Sequence, residues 1–336
     1  MPPSQKECPP PDDTLVFVHI AKTAGSTFNF LLERNFFGGS CFGAYDTAIP
    51  PTFRSSTGVF EPAVVFDHMR NAEIERGTQF RFISGHMRFG LHEYLDRPCT
   101  YITFVRDPVE RIVSAFNYVR SLGWLEESVS LSEFVDMDLL GNSDAMVRQL
   151  VNDPSLDTTE SPALLHHARS VTEADFEQAC QNLQQHFAVA APLEGFDYAL
   201  LLLAQHFQWP LKDLVYRPAN VSPKIDTVSD LDSETRDKII QRNHWDFELY
   251  QKVVAHFEKR LSAIQESNKD ALMLFTRTMQ AYRAPLEPPT SGSKDTSVAH
   301  VNRTMNAIQS PLGISTATPV QRPSSLLSYL SSAFRK

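Results

Sequence analysis

The chain has 336 residues, and what it lacks narrows its class. It has four cysteines, Cys8, Cys41, Cys99 and Cys180, far apart and with no C-x-x-C pair, so a zinc site is not expected. Reduced thiols are the default expectation for so few cysteines in so long a chain. No run approaches the roughly 18 apolar residues of a transmembrane helix. Residues 1–13 are proline-rich and lack the apolar core of a signal peptide, so the expected location is cytoplasmic. Positive charge is not in excess: 31 Lys and Arg stand against 40 Asp and Glu, a net charge of -9. No global basic field exists to draw in nucleic acid. There is no internal repeat and no G-x-x-x-x-G-K-[ST] phosphate loop.

What remains is an ordinary globular composition, 42% hydrophobic and 21% charged. Residues 1–13 read as a leader and 14–265 as the main domain. Residues 266–336 read as a helical extension and a tail. After Pro285 the chain turns to Pro, Ser, Thr and Gly, and 286–336 is expected to be disordered, with a short helix near Ser324–Phe334.

Within the domain, Leu15-Val-Phe-Val-His-Ile20 is an almost unbroken apolar run, suited to a strand buried on both faces. A small-residue loop, Ala21–Ser26, follows. Phe28, Leu31 and Leu32 then recur at helical spacing. A second strand–helix unit starts at Thr100-Tyr-Ile-Thr-Phe-Val105. Asp107 is placed to cap its helix, Pro108 to open it, and Glu110 to complete a capping-box-like pattern. Val109, Ile112, Val113 and Phe116 form the buried stripe. Phe80–Ser84 and Phe187–Ala190 are further strands. Helices are expected over 130–151, 172–185, 197–208, 232–243 and 246–262. The alternation predicts an α/β fold, a mostly parallel sheet covered by helices on both faces. Ligands bind such sheets beyond the carboxyl ends of the strands.

Three clusters carry chemistry. In His19-Ile-Ala-Lys-Thr-Ala-Gly-Ser-Thr-Phe28 the small residues let backbone N–H groups approach an anion. Ser26 and Thr27 add hydroxyls, Lys22 adds charge, and the next helix points its positive end at the site. A tight turn with an exposed lysine fits the same residues. In the second cluster Arg106 ends a strand, where a guanidinium can grip a phosphate, and Ser114 sits two turns into the helix, off the apolar stripe. Alternatively, Arg106 pairs with an acid and Ser114 is only a small helix residue. In the third, Phe82-Ile-Ser-Gly-His-Met-Arg-Phe-Gly90, position at a strand end singles out His86 among eleven histidines. His19, inside the first strand, suits a packed role, and His92 is the nearest rival.

HIAKTAGSTFNFLL together with TFVRDPVERIVSAFNYVR resembles the PAPS-dependent carbohydrate sulfotransferases of the heparan sulfate 2-O-sulfotransferase type (PAPS is 3′-phosphoadenosine-5′-phosphosulfate). The K-T-x-G-[ST]-T loop falls at Lys22–Thr27, R-D-P-x-x-R-x-x-S at Arg106–Ser114, and G-H at Gly85-His86. Further matches fall at Asp144–Leu150, Leu193–Leu200, Tyr216–Ser222 and Asn243–Tyr250, covering 14–262 in order. Asp144 stands where relatives usually have Asn, and the family's common Golgi anchor is not visible.

The resemblance implies a P-loop-like three-layer fold and transfer of a sulfuryl group from PAPS to a hydroxyl, with PAP as product and no metal. Lys22, Thr23, Ala24, Gly25, Ser26 and Thr27 would hold the 5′-phosphosulfate. Arg106 and Ser114 would hold the 3′-phosphate, and Ser222 and Lys224 would close over the nucleotide. His86 would be the general base, and Lys22 would meet charge on the leaving phosphate. Two other readings use the same features: a kinase-like phosphotransferase, or a non-catalytic PAP-binding protein. The acceptor is expected to be a glycan. Between Arg70 and Arg120 eight arginines face six acids, a slight excess that suits an uncharged sugar as well as an anionic one.

Overall fold

The computed structural model describes residues 13–34, 39–51, 58–137, 142–156, 169–217, 227–283, 298–309, 311–312 and 314. Ser222, Lys224, residues 1–12 and the expected helix near 324–334 lie outside the described residues.

The chain opens with β1 (Thr14–Val18) and α1 (Gly25–Leu32), followed by β2 (Cys41–Ala44), α2 (Pro62–Arg76) and β3 (Phe82–Gly85). Next come β4 (Cys99–Val105), α3 (Pro108–Ser121), α4 (Leu131–Asp136), α5 (Ala145–Leu150), α6 (Glu173–His186) and β5 (Phe187–Pro192). The last elements are α7 (Phe196–Phe207), α8 (Ser233–Arg242), α9 (His244–Arg283) and α10 (Val298–Gln309). The five strands lie in the order β2-β3-β1-β4-β5 and every pairing is parallel.

β1 is wholly buried, and its period of two sends alternate residues to opposite faces. Leu15 and Phe17 join Phe28 and Leu31 of α1, Leu200 of α7 and Phe275 of α9. Val16 and Val18 join Val65 and Met69 of α2 and Met146 of α5. The sheet is therefore the middle of three layers, as the strand–helix alternation predicts. A third cluster joins Val109, Ile112 and Phe116 of α3 to Phe134 of α4 and Ile239 of α8. The cap of α3 is as expected: the Asp107 carboxylate accepts from the Glu110 backbone N–H at 3.0 Å, with Pro108 in the first turn.

Two expectations need correction. The helix over 130–151 is two short helices, α4 and α5, because Asp144 adopts a left-handed φ of 46° that no α-helix continues through. Its carboxylate is instead committed to the N-terminus of α9, accepting from the N–H groups of Trp245 at 2.9 Å and Asp246 at 3.0 Å. A helical extension after 265 was expected, and helix is found there. α9 runs to Arg283, broken by non-helical backbone at Asn268. Lastly, 286–336 is not disordered throughout. α10 lies within it, with Val301, Met305 and Ile308 at helical spacing in the core. The polar residues between them dilute the composition and hide the stripe. Among the described residues no helix is long and apolar enough to cross a membrane.

Candidate active site

The topology makes one row of five residues. Tyr45, His86, His19, Arg106 and Leu193 are each the first residue beyond a strand, in the spatial order β2, β3, β1, β4, β5. All but Tyr45 are among the residues lining a single cleft of 1320 Å³, together with Lys22, Ser26, Thr27 and Ser114. This is where a parallel sheet places its ligands. Gly85 lets β2 and β3 close here, since a Cβ on it would come within 2.3 Å of the Ala44 carbonyl oxygen.

The loop from β1 to α1 is strained in the way anion loops are. Lys22 and Ala24 have φ of 71° and 63°, a region that costs a non-glycine residue about 1–2 kcal/mol. Such conformations line up backbone N–H groups around an anion. No side chain caps α1, so its first N–H groups face the loop. The Thr23 hydroxyl turns away from the cleft and donates to the Ile20 carbonyl at 2.7 Å, which closes the loop. Its side chain braces the loop, then, while Ser26 and Thr27 are among the residues lining the cleft.

Two cations crowd this site. Lys22 Nζ lies 3.9 Å from the centroid of the Tyr118 ring. Burial first, then the neighbouring Arg106, pushes its pKa down to about 8. Arg106 donates to the Lys22 carbonyl at 3.3 Å and pairs with Glu110 at 3.0 Å, so it does have the acidic partner the sequence allowed for. Arg111, 2% exposed, also lines the cleft and reaches Asn243 Oδ1 at 3.3 Å and Asp246 at 3.8 Å. Lys22, Arg106 and Arg111 thus all line the cleft, the two arginines with carboxylate partners.

His86 Nδ1 lies 2.9 Å from the His19 carbonyl oxygen, which can only accept, so Nδ1 carries a proton and, in the neutral ring, Nε2 holds the lone pair. Gln149 donates to the same carbonyl at 3.0 Å and to that of Met87 at 2.9 Å, bracing the turn behind His86. The imidazoles of His86 and His19 stack with centroids 4.4 Å apart. His19 is thus not inside β1 but just beyond it, in the cleft wall. His92 sits instead in a turn against Tyr101 and His186 and is not among the cleft residues.

Behind this wall, Asp144 caps α9 while Asp246 caps α5, accepting from Met146 N–H at 3.0 Å and Val147 N–H at 2.9 Å. Burial raises both carboxyls, Asp144 to about 7. The sequence reading assigned no function to Arg111 or Gln149, although both lie within motifs it quoted. It missed Tyr45 altogether, because nothing local marks that residue as following a strand.

Fold and cleft define a class: an α/β protein with a lysine-bearing strand-to-helix loop beside a histidine at the carboxyl edge of its sheet. Within it, residues 1–270 match the family model for galactose-3-O-sulfotransferase, and the chain belongs to that family. It is 28% identical over 273 residues to a galactosylceramide sulfotransferase of Bos taurus, covering 76% of this chain and 59% of that one. Against the Homo sapiens galactosylceramide sulfotransferase it is 27% identical over 277 residues, covering 77% and 60%. The chain thus spans about three-fifths of the length of these relatives. A sulfotransferase structure from Alicyclobacillus acidocaldarius aligns with a TM-score of 0.37 and 12% identity, over 72% of this chain and 96% of that one. The motif resemblance therefore holds for carbohydrate and glycolipid sulfotransferases, but the type is galactose-3-O rather than heparan sulfate 2-O.

Proposed function

We propose that the chain transfers a sulfuryl group from PAPS to a hydroxyl of a galactose-bearing glycolipid. The observation that carries the reading is His86, with its Nε2 lone pair set by the His19 carbonyl, in one cleft with Lys22 and Arg106. PAPS fits the residues present: the strained loop, the uncapped start of α1 and the mutually repelling Lys22 and Arg106 all favour a bound polyanion. When bound, it supplies an activated sulfur whose leaving group is a phosphate.

The chain's own residues do the rest. His86 Nε2 takes the proton of the acceptor hydroxyl. Lys22 places its ammonium where charge builds on the leaving oxygen. Loop N–H groups with Ser26 and Thr27 hold the 5′ end, and Arg106 with Ser114 holds the 3′-phosphate. Roles for Ser222 and Lys224 rest on the resemblance alone. The cleft rim supports a sugar acceptor: Trp124 lines it and is 66% exposed, a flat apolar face on which a sugar ring can lie, while the Tyr118 ring nearby carries the Lys22 ammonium. The two relatives are named for a galactose glycolipid.

The test is transfer of labelled sulfate from PAPS to a panel of galactosylated lipids, free sugars and small alcohols, with PAP and adenosine 5′-monophosphate compared by calorimetry. Transfer is expected to a galactose hydroxyl, with PAP binding favoured by at least the roughly 1.5–3 kcal/mol of one charged contact. Equal affinity for the two nucleotides removes the 3′-phosphate assignment, and ATP binding that requires Mg²⁺ favours the phosphotransferase reading. His86→Ala is expected to lower turnover about 10²–10⁴-fold with PAP affinity retained. PAP binding without transfer to any acceptor makes the chain a binding protein.

A further inference from the structure

We propose that His19 is a second working histidine of the cleft, held as the Nε2–H tautomer to donate a hydrogen bond to an oxygen of the group being transferred. This rests on the sulfuryl-transfer reading above, in which His19 has no part.

The argument begins at Asn29, on α1. Its amide nitrogen donates to the Tyr45 phenol oxygen at 2.5 Å. The Ser84 hydroxyl is a second hydrogen-bond partner of the Tyr45 side chain. With the Asn29 amide and Ser84 both donating to it, the phenol's two lone pairs are filled and its own hydrogen is left for a third neighbour. His19 Nδ1 lies 3.0 Å from that phenol oxygen and takes it. Nδ1 is then an acceptor. Burial, with the nearby His86 and Lys22, keeps the ring uncharged by lowering its pKa well below the ordinary value. A neutral imidazole with an accepting Nδ1 carries its proton on Nε2.

The position of that N–H is fixed by Gly25, the first residue of α1. A Cβ there would stand 2.0 Å from His19 Nε2, so the ring edge abuts the loop at the helix start that receives the anion. His19 is 8% exposed, and it is among the residues of the cleft wall. A polar edge so deeply buried, turned toward an anion loop, has a ligand oxygen as its natural acceptor.

The two stacked rings thus divide the work through opposite tautomers. His86 donates from Nδ1 to the His19 backbone and keeps Nε2 as a base. His19 accepts at Nδ1 from Tyr45 and keeps Nε2 as a donor. In the transfer, the sulfur–oxygen bond to the acceptor forms and that to the 5′-phosphate breaks, its electron pair staying on the phosphate oxygen. The acceptor's proton passes to His86. His19 keeps its proton throughout, and its neutrality leaves the adjacent ring as the one that charges.

Two readouts test this. Long-range proton–nitrogen NMR on the free protein is expected to find His19 protonated at Nε2 and bare at Nδ1, with Tyr45→Phe producing a mixture of tautomers. In the labelled-sulfate assay, His19→Phe is expected to lower kcat about 10²–10³-fold, as removal of one preorganised donor does, with PAP affinity by calorimetry close to wild type. His19→Gln, whose side-chain amide can reach the Nε2 position, is expected to recover about tenfold over the Phe variant. A proton on Nδ1 in the wild type overturns the proposal, as does full turnover in His19→Phe. Activity lost in His86→Ala but intact in His19→Phe sinks this inference alone. Absence of transfer by the wild type sinks the functional reading, and the tautomer measurement still decides whether His19 is a donor.

Discussion

Lys22 is both the cation nearest the loop and the one whose charge is least secure. Its ammonium is pushed down to about 8, by burial first and Arg106 second. Below that pH it is charged and above it neutral, so a step needing the ammonium fades as pH rises. The free-enzyme profile of kcat/KM is therefore expected to fall on its alkaline side with a midpoint near 8. Lys22→Arg should move that limb upward, because a guanidinium stays charged. Lys22→Ala should cost turnover more than PAP affinity, since the charge it meets develops during transfer. A profile unchanged in Lys22→Arg would assign the limb to another group. On the acceptor side, Trp124→Ala is expected to raise the acceptor KM about tenfold without altering PAP binding, the loss of roughly 1.4 kcal/mol of stacking. Unchanged acceptor kinetics would remove Trp124 from the site. That Lys22, His86, Arg106 and Ser114 fall at one cleft was legible in the sequence, because each sits beside a strand or helix whose own pattern is strong. His19 and Tyr45 were not. Their partnership is made across β2, β3 and β1, and β2 is a four-residue strand with a glycine in it.

At the scale of elements, α5 and α9 each lend the other a carboxylate. Asp246 reaches the first N–H groups of α5 and Asp144 those of α9. Both carboxyls are raised by burial, and Asp144 is raised from 3.8 to about 7. A carboxyl whose folded pKa lies above its unfolded one stabilises the fold fully below the unfolded value. That contribution is lost as pH rises through the folded value. Stability in urea should therefore decline between about pH 4 and pH 7 from this pair. Asp144→Asn keeps an oxygen for the α9 N–H groups and removes one ionisation, so it is expected to flatten that decline. An unaltered slope in the variant would place the titration elsewhere. The same arrangement explains why one helix over 130–151 was a reasonable reading and yet failed. The apolar spacing there is helical, but Asp144 is pulled out of line by a partner 102 residues away. α2 escaped notice for another reason. Val64, Phe66 and Ile74 lie off its buried line of Val65, Met69 and Glu73, so no one-sided stripe shows.

At the scale of the molecule, the strand–helix alternation was enough to give the parallel sheet and hence the edge where the cleft lies. It could not show how the chain beyond the family match is used. That match ends at residue 270, yet Gln280 and Arg283 of α9 line the cleft. Arg283 is paired with Asp197 at the start of α7 and donates to the Tyr216 hydroxyl at 2.6 Å. The break at Asn268 lets one 40-residue helix begin at the Asp144 network and still return to the cleft at its other end. α10 then packs on α9, placing Val301, Met305 and Ile308 in the same core as Trp209 and Leu211. Burial of each such side chain contributes about 1.5–3 kcal/mol. Met305 is wholly buried, and removing its side chain leaves a cavity that the packed helices can only partly close. Met305→Ala is accordingly expected to lower the unfolding free energy by about 2–5 kcal/mol in urea. Among the described residues α10 contributes none to the cleft, so the folded variant should bind PAP with wild-type affinity. A stability loss well below 1 kcal/mol would mean that α10 is not held in the core in solution. Weakened PAP binding in the folded variant would mean that α10 sets the position of α9 at the cleft, and that the two helices act as one brace.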